Sequence, residues 1–304
     1  MRRFVFGHLT AAALAILPVL AGATAQRTFV SSQGVDNPSC SLVAPCRQFA
    51  AAVAATSAGG EVIVMDSAGY GPVTITKSVS IVSPTGVYAG ISVFTGAGIV
   101  VNGSGISVVL RGLSLIGQGG IGLAGIQFLQ GAKLTVLDCD ISRMDNYGIY
   151  ASAPGGLVTV KSSSLRENFI GFLATSTATA ALDDVHVYAS TANGVSAGAG
   201  AKVTVTNSVI ADSGSDGVYV YSSGTEVTDL MVTGSTIGRS TNNIHAFANF
   251  GGTTRVVVDN CAINEAVATA FLFDGGIIYT LNNNRVGFNN GIVTGGSLTV
   301  LGPH

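Results

Sequence analysis

Asp138, Asp140, Lys161, Asp183 and His186 are the side chains of this sequence best suited to acid–base chemistry, and they recur in step with one another. Asp140, Ser164 and His186 hold the same position in successive segments, as do Lys161 and Asp183. Asp184 adjoins Asp183, and Arg143 and Glu167 each fall two residues past neighbouring segments. If each segment is one coil of a solenoid, neighbours stand about 4.8 Å apart and His186 lies about 10 Å from Asp140. Two carboxylates about 5–9.5 Å apart suit glycoside hydrolysis. Convergent carboxyl oxygens suit a hard cation instead, with Asp138, Asp140, Asp183 and Asp184 as the best donors. An ordinary structural reading competes with both. Opposite charges on adjacent coils form surface ion pairs, and Asp or Asn at a bend satisfies its own turn. The five residues named first are the candidate catalytic groups. Arg143, Glu167, Tyr188, Tyr219 and Tyr221 are the candidate binding groups.

The elements that must position them are repeats. Eight segments follow one pattern at spacings of 22 to 27 residues: 108–115, 134–141, 158–165, 180–187, 203–210, 230–237, 256–263 and 279–286. Each has a β-prone start, a polar or small pair near its middle and an apolar last residue. A repeat of this length, rich in β-branched residues and in Asn, Gly and Ser, predicts a solenoid with one coil per repeat. Fifth positions (Asp138, Ser162, Asp184, Asn207, Gly234, Asn260 and Asn283) suit a sharp bend between sheets. Eighth positions, Leu115 through Val286, are all aliphatic and predict one inward stack. Between repeats lie second short strands at 121–128, 148–151, 170–174, 194–195, 217–221, 244–247 and 270–273. Nine or ten coils make a rod roughly 45–50 Å long.

Aromatic residues crowd the middle coils: Tyr147, Tyr150, Phe169, Phe172, Tyr188, Tyr219 and Tyr221, with Phe247 beyond. Exposed rings could stack on sugar faces, whereas buried ones would fill the coils. No His, Cys, Asp and Glu grouping has zinc spacing, so no metal is assigned. Gly-rich 117–125 lacks the lysine and helix of a phosphate loop and reads as tight turns.

Residues 1–25 combine Arg2 and Arg3, an apolar run and an Ala23-Thr24-Ala25 site, which is the pattern of a secretory signal peptide. The chain is read as secreted or periplasmic. Its formal net charge is −2 with only 10% charged residues, and no basic cluster follows the signal, so nucleic acid is not an expected partner. Cys40 and Cys46 flank a short loop and are expected to pair. Cys139 and Cys261 hold the same repeat position five coils apart, roughly 24 Å by strand spacing, and should remain unpaired. Residues 26–60 give a first strand near 28–31, the cysteine loop and a helix. Phe49, Ala50, Val53 and Ala54 form its apolar face, and Gly59 and Gly60 stop it. Coils fill 61–304, with early strands near 62–65, 73–76, 79–82 and 98–101.

The opening VSSQGVDNPSCSLVAPCRQFAAAVAA, with its V-S-x-x-G-x-D-N-P-x-C start and P-C-R-x-F-x-x-A helix, is similar to the start and cap of bacterial members of the pectin-lyase-like superfamily. With the repeats, the likeness covers about residues 27–300. It implies an all-β, single-stranded right-handed parallel β-helix with an N-terminal helical cap. That superfamily holds pectate lyases, polygalacturonases, tailspikes and adhesins, so the fold points toward carbohydrate without settling activity. Its lyases imply an Arg or Lys base and Ca²⁺. The paired-Asp motifs of galacturonases and an R-x-x-R-x-P-like element are absent, which counts against carrying over either activity. The leading reading is an exported binding or surface-interaction β-helix whose partner is a polysaccharide or cell-envelope glycan. A polysaccharide lyase or glycoside hydrolase is the alternative, with Ca²⁺ only in the lyase case. A third reading is a structural protein that forms homo-oligomers and takes no small ligand.

Overall fold

A computed structural model describes residues 25–302 of the chain. The signal-peptide reading therefore lies almost wholly outside the described residues. All strand ladders are parallel, and the chain winds as an all-β solenoid of about ten turns around one continuous apolar core. Each full coil has three faces. The first face carries strands such as Lys133–Leu137 and Lys202–Thr206; the second carries Asp140–Ser142 and Val209–Ala211; the third carries Tyr147–Ala151, Ile170–Ala174 and Asp216–Ser223. The third face alone is a ten-stranded sheet.

Backbone geometry explains the corners. Gly112, Asp138, Ser162, Asp184, Asn207, Gly234 and Asn260 all have positive φ, so the fifth position of the repeat is the bend between the first and second faces. In the last repeat the left-handed residue is Asn282, not Asn283. Thr280 pairs with Val258 but Arg285 pairs with Ala262, so that coil contains one extra residue and the eight-residue frame slips. A second left-handed column, which the repeat pattern did not reveal, turns the chain from the second face to the third. It contains Arg143, Glu167, Ala189, Asp212, Arg239, Glu265 and Phe288.

Behind each corner, small polar side chains face inward and bond the neighbouring coil. Ser208 Oγ accepts from Val185 N at 3.0 Å and donates to Thr206 O at 2.7 Å. Cys139 and Cys261 stand in this same column, buried and unpaired, with their thiols 3.2 and 3.1 Å from Leu137 O and Asp259 O. They act as serine-sized fillers. Burial pushes the Cys139 thiol up to about 12 despite nearby backbone donors. Both thiols are expected to resist an aqueous thiol reagent in the native protein and to react in full once it is denatured. Rapid native labelling of either would contradict this packing.

The eighth-position stack is buried from Leu115 to Ile263, but Val286 is 36% exposed, its strand having no partner on the far side among the described residues. Opposite this stack, Gly125, Gly148, Gly171 and Gly194 line up rather than forming turns. A Cβ on Gly171 would come 2.4 Å from Val187 Cγ1 and 2.6 Å from Gly194 O.

At the first coil, Ala25–Val30 pairs with Thr56–Val64 on one side. Its other edge is taken by the loop that the Cys40–Cys46 disulfide closes: Phe29 N donates to Cys40 O (2.8 Å), Cys46 N to Phe29 O (2.9 Å) and Ser31 N to Cys46 O (2.9 Å). The helical part is one short helix, Phe49–Ala55, with Phe49, Ala52, Val53 and Ala55 buried. Ala50 and Ala54 point outward, contrary to the expected face, because the buried side is set by the strands beneath. The helix ends before Gly59, where the Thr56 hydroxyl bonds Ala52 O at 2.6 Å and the first coil begins.

Candidate functional site

The structure divides the expected catalytic group. Asp140, Ser164 and His186 do form one outward column on the second face. With Asp138, Asp184 and Ser162 they line a shallow groove of about 400 Å³. Lys161 and Asp183 sit across the left-handed corner on the first face and do not line it. The five residues therefore do not share one groove.

Local bonding also restrains most of the carboxylates. Arg111 Nε bonds Asp138 at 3.1 Å, Arg166 grips Asp140 through two bonds of 3.1 and 2.8 Å, and Ser162 Oγ bonds Asp184 at 2.9 Å. Lys161 Nζ lies 2.8 Å from Asp183, the ion pair that column spacing predicts. That ammonium, with the Asn207 and Thr206 side chains, holds the Asp183 carboxyl down at about 2. A carboxyl whose folded value is depressed contributes stability above its unfolded value, near 4, and loses it as pH falls toward 2. Asp183→Asn should therefore lower stability modestly at pH 7 and flatten the acid limb of the profile between pH 4 and 2. An unchanged acid limb in chemical denaturation would show that the pair contributes nothing.

The expected binding residues also separate. Arg143 and Glu167 are corner residues, and they do not pair with each other. Glu167 lies 3.6 Å from Arg166, and Arg143 is exposed with no ion partner among the described residues. The analogous Arg239 does reach Glu265, at 4.0 Å, although its principal partner is Asp212 through bonds of 2.7 and 2.8 Å. Tyr188 is exposed on the second face, in register with Arg166. Phe172 belongs to the core and Phe169 to an exposed loop.

Tyr219 and Tyr221 are different. They lie side by side on the third face, their ring centroids 5.5 Å apart and nearly parallel. Tyr150, Leu173, Ser196, Tyr219 and His245 occupy one register column, spanning four coil steps or about 19 Å. Phe247 follows Tyr221 in the adjacent column, and Tyr147 stacks on Tyr150 at 4.8 Å. Small residues make room between these rings: a Cβ on Gly198 would lie 2.0 Å from the Tyr221 ring. The result is a half-buried aromatic surface running along the rod.

Its polar anchor was invisible in the repeats. Asp216 is buried beside this surface and accepts hydrogen bonds from Asn242 Nδ2 (2.8 Å) and, as the contact assigns the proton, from His245 Nδ1 (3.0 Å). The imidazole is held against Tyr219 at 5.0 Å and edge-on to Phe247 at 6.4 Å. Burial pushes the Tyr219 hydroxyl up to about 12, with Asp216 adding to the effect, so it stays a neutral donor at ordinary pH. Asp216 and His245 come from different coils, 29 residues apart, and neither falls in an aligned repeat. Only the second-strand register could have joined them.

The first face carries another groove, of about 420 Å³, between Lys202, Met231, Arg255, Val257 and Tyr279. Arg255 is engaged there by Asp229 through bonds of 2.6 and 2.8 Å.

Residues 170–301 match the sequence pattern of the right handed beta helix region. No curated protein matches the chain. Among solved structures, pectate lyase Pel9A superposes with a TM-score of 0.65 at 17% identity, covering 91% of this chain and 80% of that one. Tailspike protein 2 from an Escherichia coli O157:H7 bacteriophage gives 0.62 at 12% identity, covering 82% of this chain but 39% of the tailspike. This chain has the right-handed β-helix fold of the pectin-lyase-like type. The same β-helix fold thus serves a named lyase and a phage tailspike, so the coil architecture leaves the choice of chemistry to the side chains on its faces. Among the described residues there is no cluster of His, Cys, Asp or Glu suited to a metal ion, and no helix long and apolar enough to cross a membrane.

Proposed function

We propose that this protein is an exported glycan-binding β-helix, secreted or periplasmic, that holds a polysaccharide or cell-envelope glycan along its third face. The observation that carries the reading is the aromatic row Tyr147, Tyr150, Tyr219, Tyr221 and Phe247, ordered by the Asp216–His245 contact. Ring faces cover the C–H faces of sugars, while phenol hydroxyls serve as donors at the rim. The Tyr147–Tyr150 pair and the Tyr219–Tyr221 pair stand three coil steps apart, about 14 Å, so one extended glycan strand can meet both. The disulfide supports export, since such bonds persist in oxidising compartments. The stapled loop and the Phe49–Ala55 helix close the N-terminal end and keep the first strand edge from pairing elsewhere.

Equilibrium binding to a panel of neutral and acidic polysaccharides tests this reading, including the envelope of the producing cell. Saturable binding to at least one glycan is expected; absence of binding across the panel would end the proposal. A catalytic reading draws on one observation, the groove that Asp138, Asp140, Asp184 and His186 line together. Incubation of the same glycans, with and without Ca²⁺, separates the two. New ultraviolet absorbance marks elimination and new reducing ends alone mark hydrolysis, whereas binding without either leaves the groove structural.

A further inference from the structure

We infer that the aromatic row on the third face takes an uncharged polysaccharide and disfavours polymers that carry carboxylate, sulfate or phosphate; this rests on the glycan reading above and names its ligand class. Charge is spread unevenly over the coils. First-face strands carry Arg111, Lys133, Lys161, Lys202 and Arg255. None of the ten strands of the third face has a lysine or an arginine. Their acidic residues are Asp216 and Asp274, and His245 lies on the strand between.

The borders of the face do not supply the missing cations. In the loops that leave it, from 152–156 to 250–252, the only charged residue is Glu226. On the corner that enters it, Arg143 and Arg239 stand among Asp145, Glu167, Asp212 and Glu265. Arg239 is committed to Asp212 through bonds of 2.7 and 2.8 Å. Among the described residues that leaves Arg143 as the one unpaired cation of this corner, set against several carboxylates.

An anionic sugar brought onto this surface gives up water without meeting a cation on the strands, and Asp216 and Asp274 repel it. The rings themselves suit a neutral ligand. Burial first, with Asp216 and Asp274 among the further causes, pushes the Tyr219 hydroxyl up to about 12. Burial also raises Tyr221, whose ring lies back over Gly198 toward the Tyr147–Tyr150 pair. Phenols held neutral in this way donate to sugar hydroxyls. The margins of the row are amides and hydroxyls: Gln127 beside Tyr150, Ser152 two residues past it and Asn249 two past Phe247 are all half-buried. Such groups both donate and accept, as the hydroxyls of an uncharged sugar do.

Isothermal titration of the intact protein tests the class. The probes are a soluble β-glucan, a xyloglucan and a galactomannan, each as a hydroxyethyl and a carboxymethyl derivative of equal substitution, so that bulk is matched and charge is not. Polygalacturonate and alginate extend the acidic set. At least one neutral polymer should bind, and its carboxymethyl counterpart should bind at least about tenfold more weakly. Neutral affinity should change less than about twofold when salt is raised about tenfold, because no ion pair is screened. Asp274→Lys, at an exposed position, places a cation at the end of the row and should narrow the acidic–neutral difference several-fold. An acidic polymer that binds as tightly as the neutral ones, and loses that affinity when Tyr219 and Tyr221 are both replaced by alanine, would overturn this inference and leave the glycan reading standing. Blank titrations with every polymer, and with the envelope glycan of the producing cell, would end both.

Discussion

Replacing Tyr219 and Tyr221 together by alanine is expected to weaken glycan binding about a hundredfold, equivalent to about 3 kcal/mol. The two rings are the centre of the aromatic surface, stacked on each other, with Tyr219 also against His245. Removing both takes away the tyrosine contact area at the centre of the surface and the ring that His245 packs against at 5.0 Å, leaving Phe247 edge-on to the imidazole. Gly198→Ala offers a subtler version of the same experiment. Both phenols remain, but the added methyl would occupy space held by the Tyr221 ring, 2.0 Å away, and force it to move. Binding should fall by several-fold with the fold retained. Tyr188→Ala, on the second face, should bind normally. Isothermal titration of the three variants decides the matter, and equal losses in all of them would argue against a localised surface.

The second large effect is on stability. Asn168 is fully buried behind the second corner, where Oδ1 accepts from Met144 N at 3.0 Å and Nδ2 donates to Ile141 O at 3.1 Å. Asn168→Leu fills similar volume but leaves a buried N–H and a buried C=O without partners. Each orphan costs about 1–3 kcal/mol, so a loss of about 3 kcal/mol is expected. Serine holds the equivalent place in later coils, where Ser240 Oγ accepts from Ser213 N at 3.2 Å. Asn168→Ser should accordingly cost less, about 1–2 kcal/mol. Urea denaturation gives both values, and a leucine variant as stable as the parent would show that the side-chain bonds contribute little.

The parts of this protein that repeat were legible before any coordinates. Position five of the repeat had to bend because Asp, Asn, Ser and Gly recur there, and all but the last of those bends are where the spacing put them. The Cys40–Cys46 pair and the isolation of Cys139 from Cys261 followed from loop length and coil separation. The second corner was hidden because Arg143, Glu167 and Ala189 are poor indicators of left-handed backbone; their conformation is imposed by the coils above and below. Column arithmetic found Lys161–Asp183 but could not say which side of the bend each side chain faces, and that put Asp183 and His186 in one imagined groove. The Asp216–His245 contact escaped because loop lengths between repeats vary, and only the observed register brings residues of two coils together.

Hydroxyl-radical footprinting of the protein with its best-bound glycan, read by mass spectrometry, tests the central claim most directly. The account predicts that saturating glycan lowers the oxidation of Tyr147, Tyr150, Tyr219 and Tyr221, while Tyr188 on the second face and Met231 and Tyr279 in the first-face groove react as in the free protein. Protection of Met231 and Tyr279 with the third-face tyrosines unchanged would place the glycan on the wrong side of the rod and contradict it.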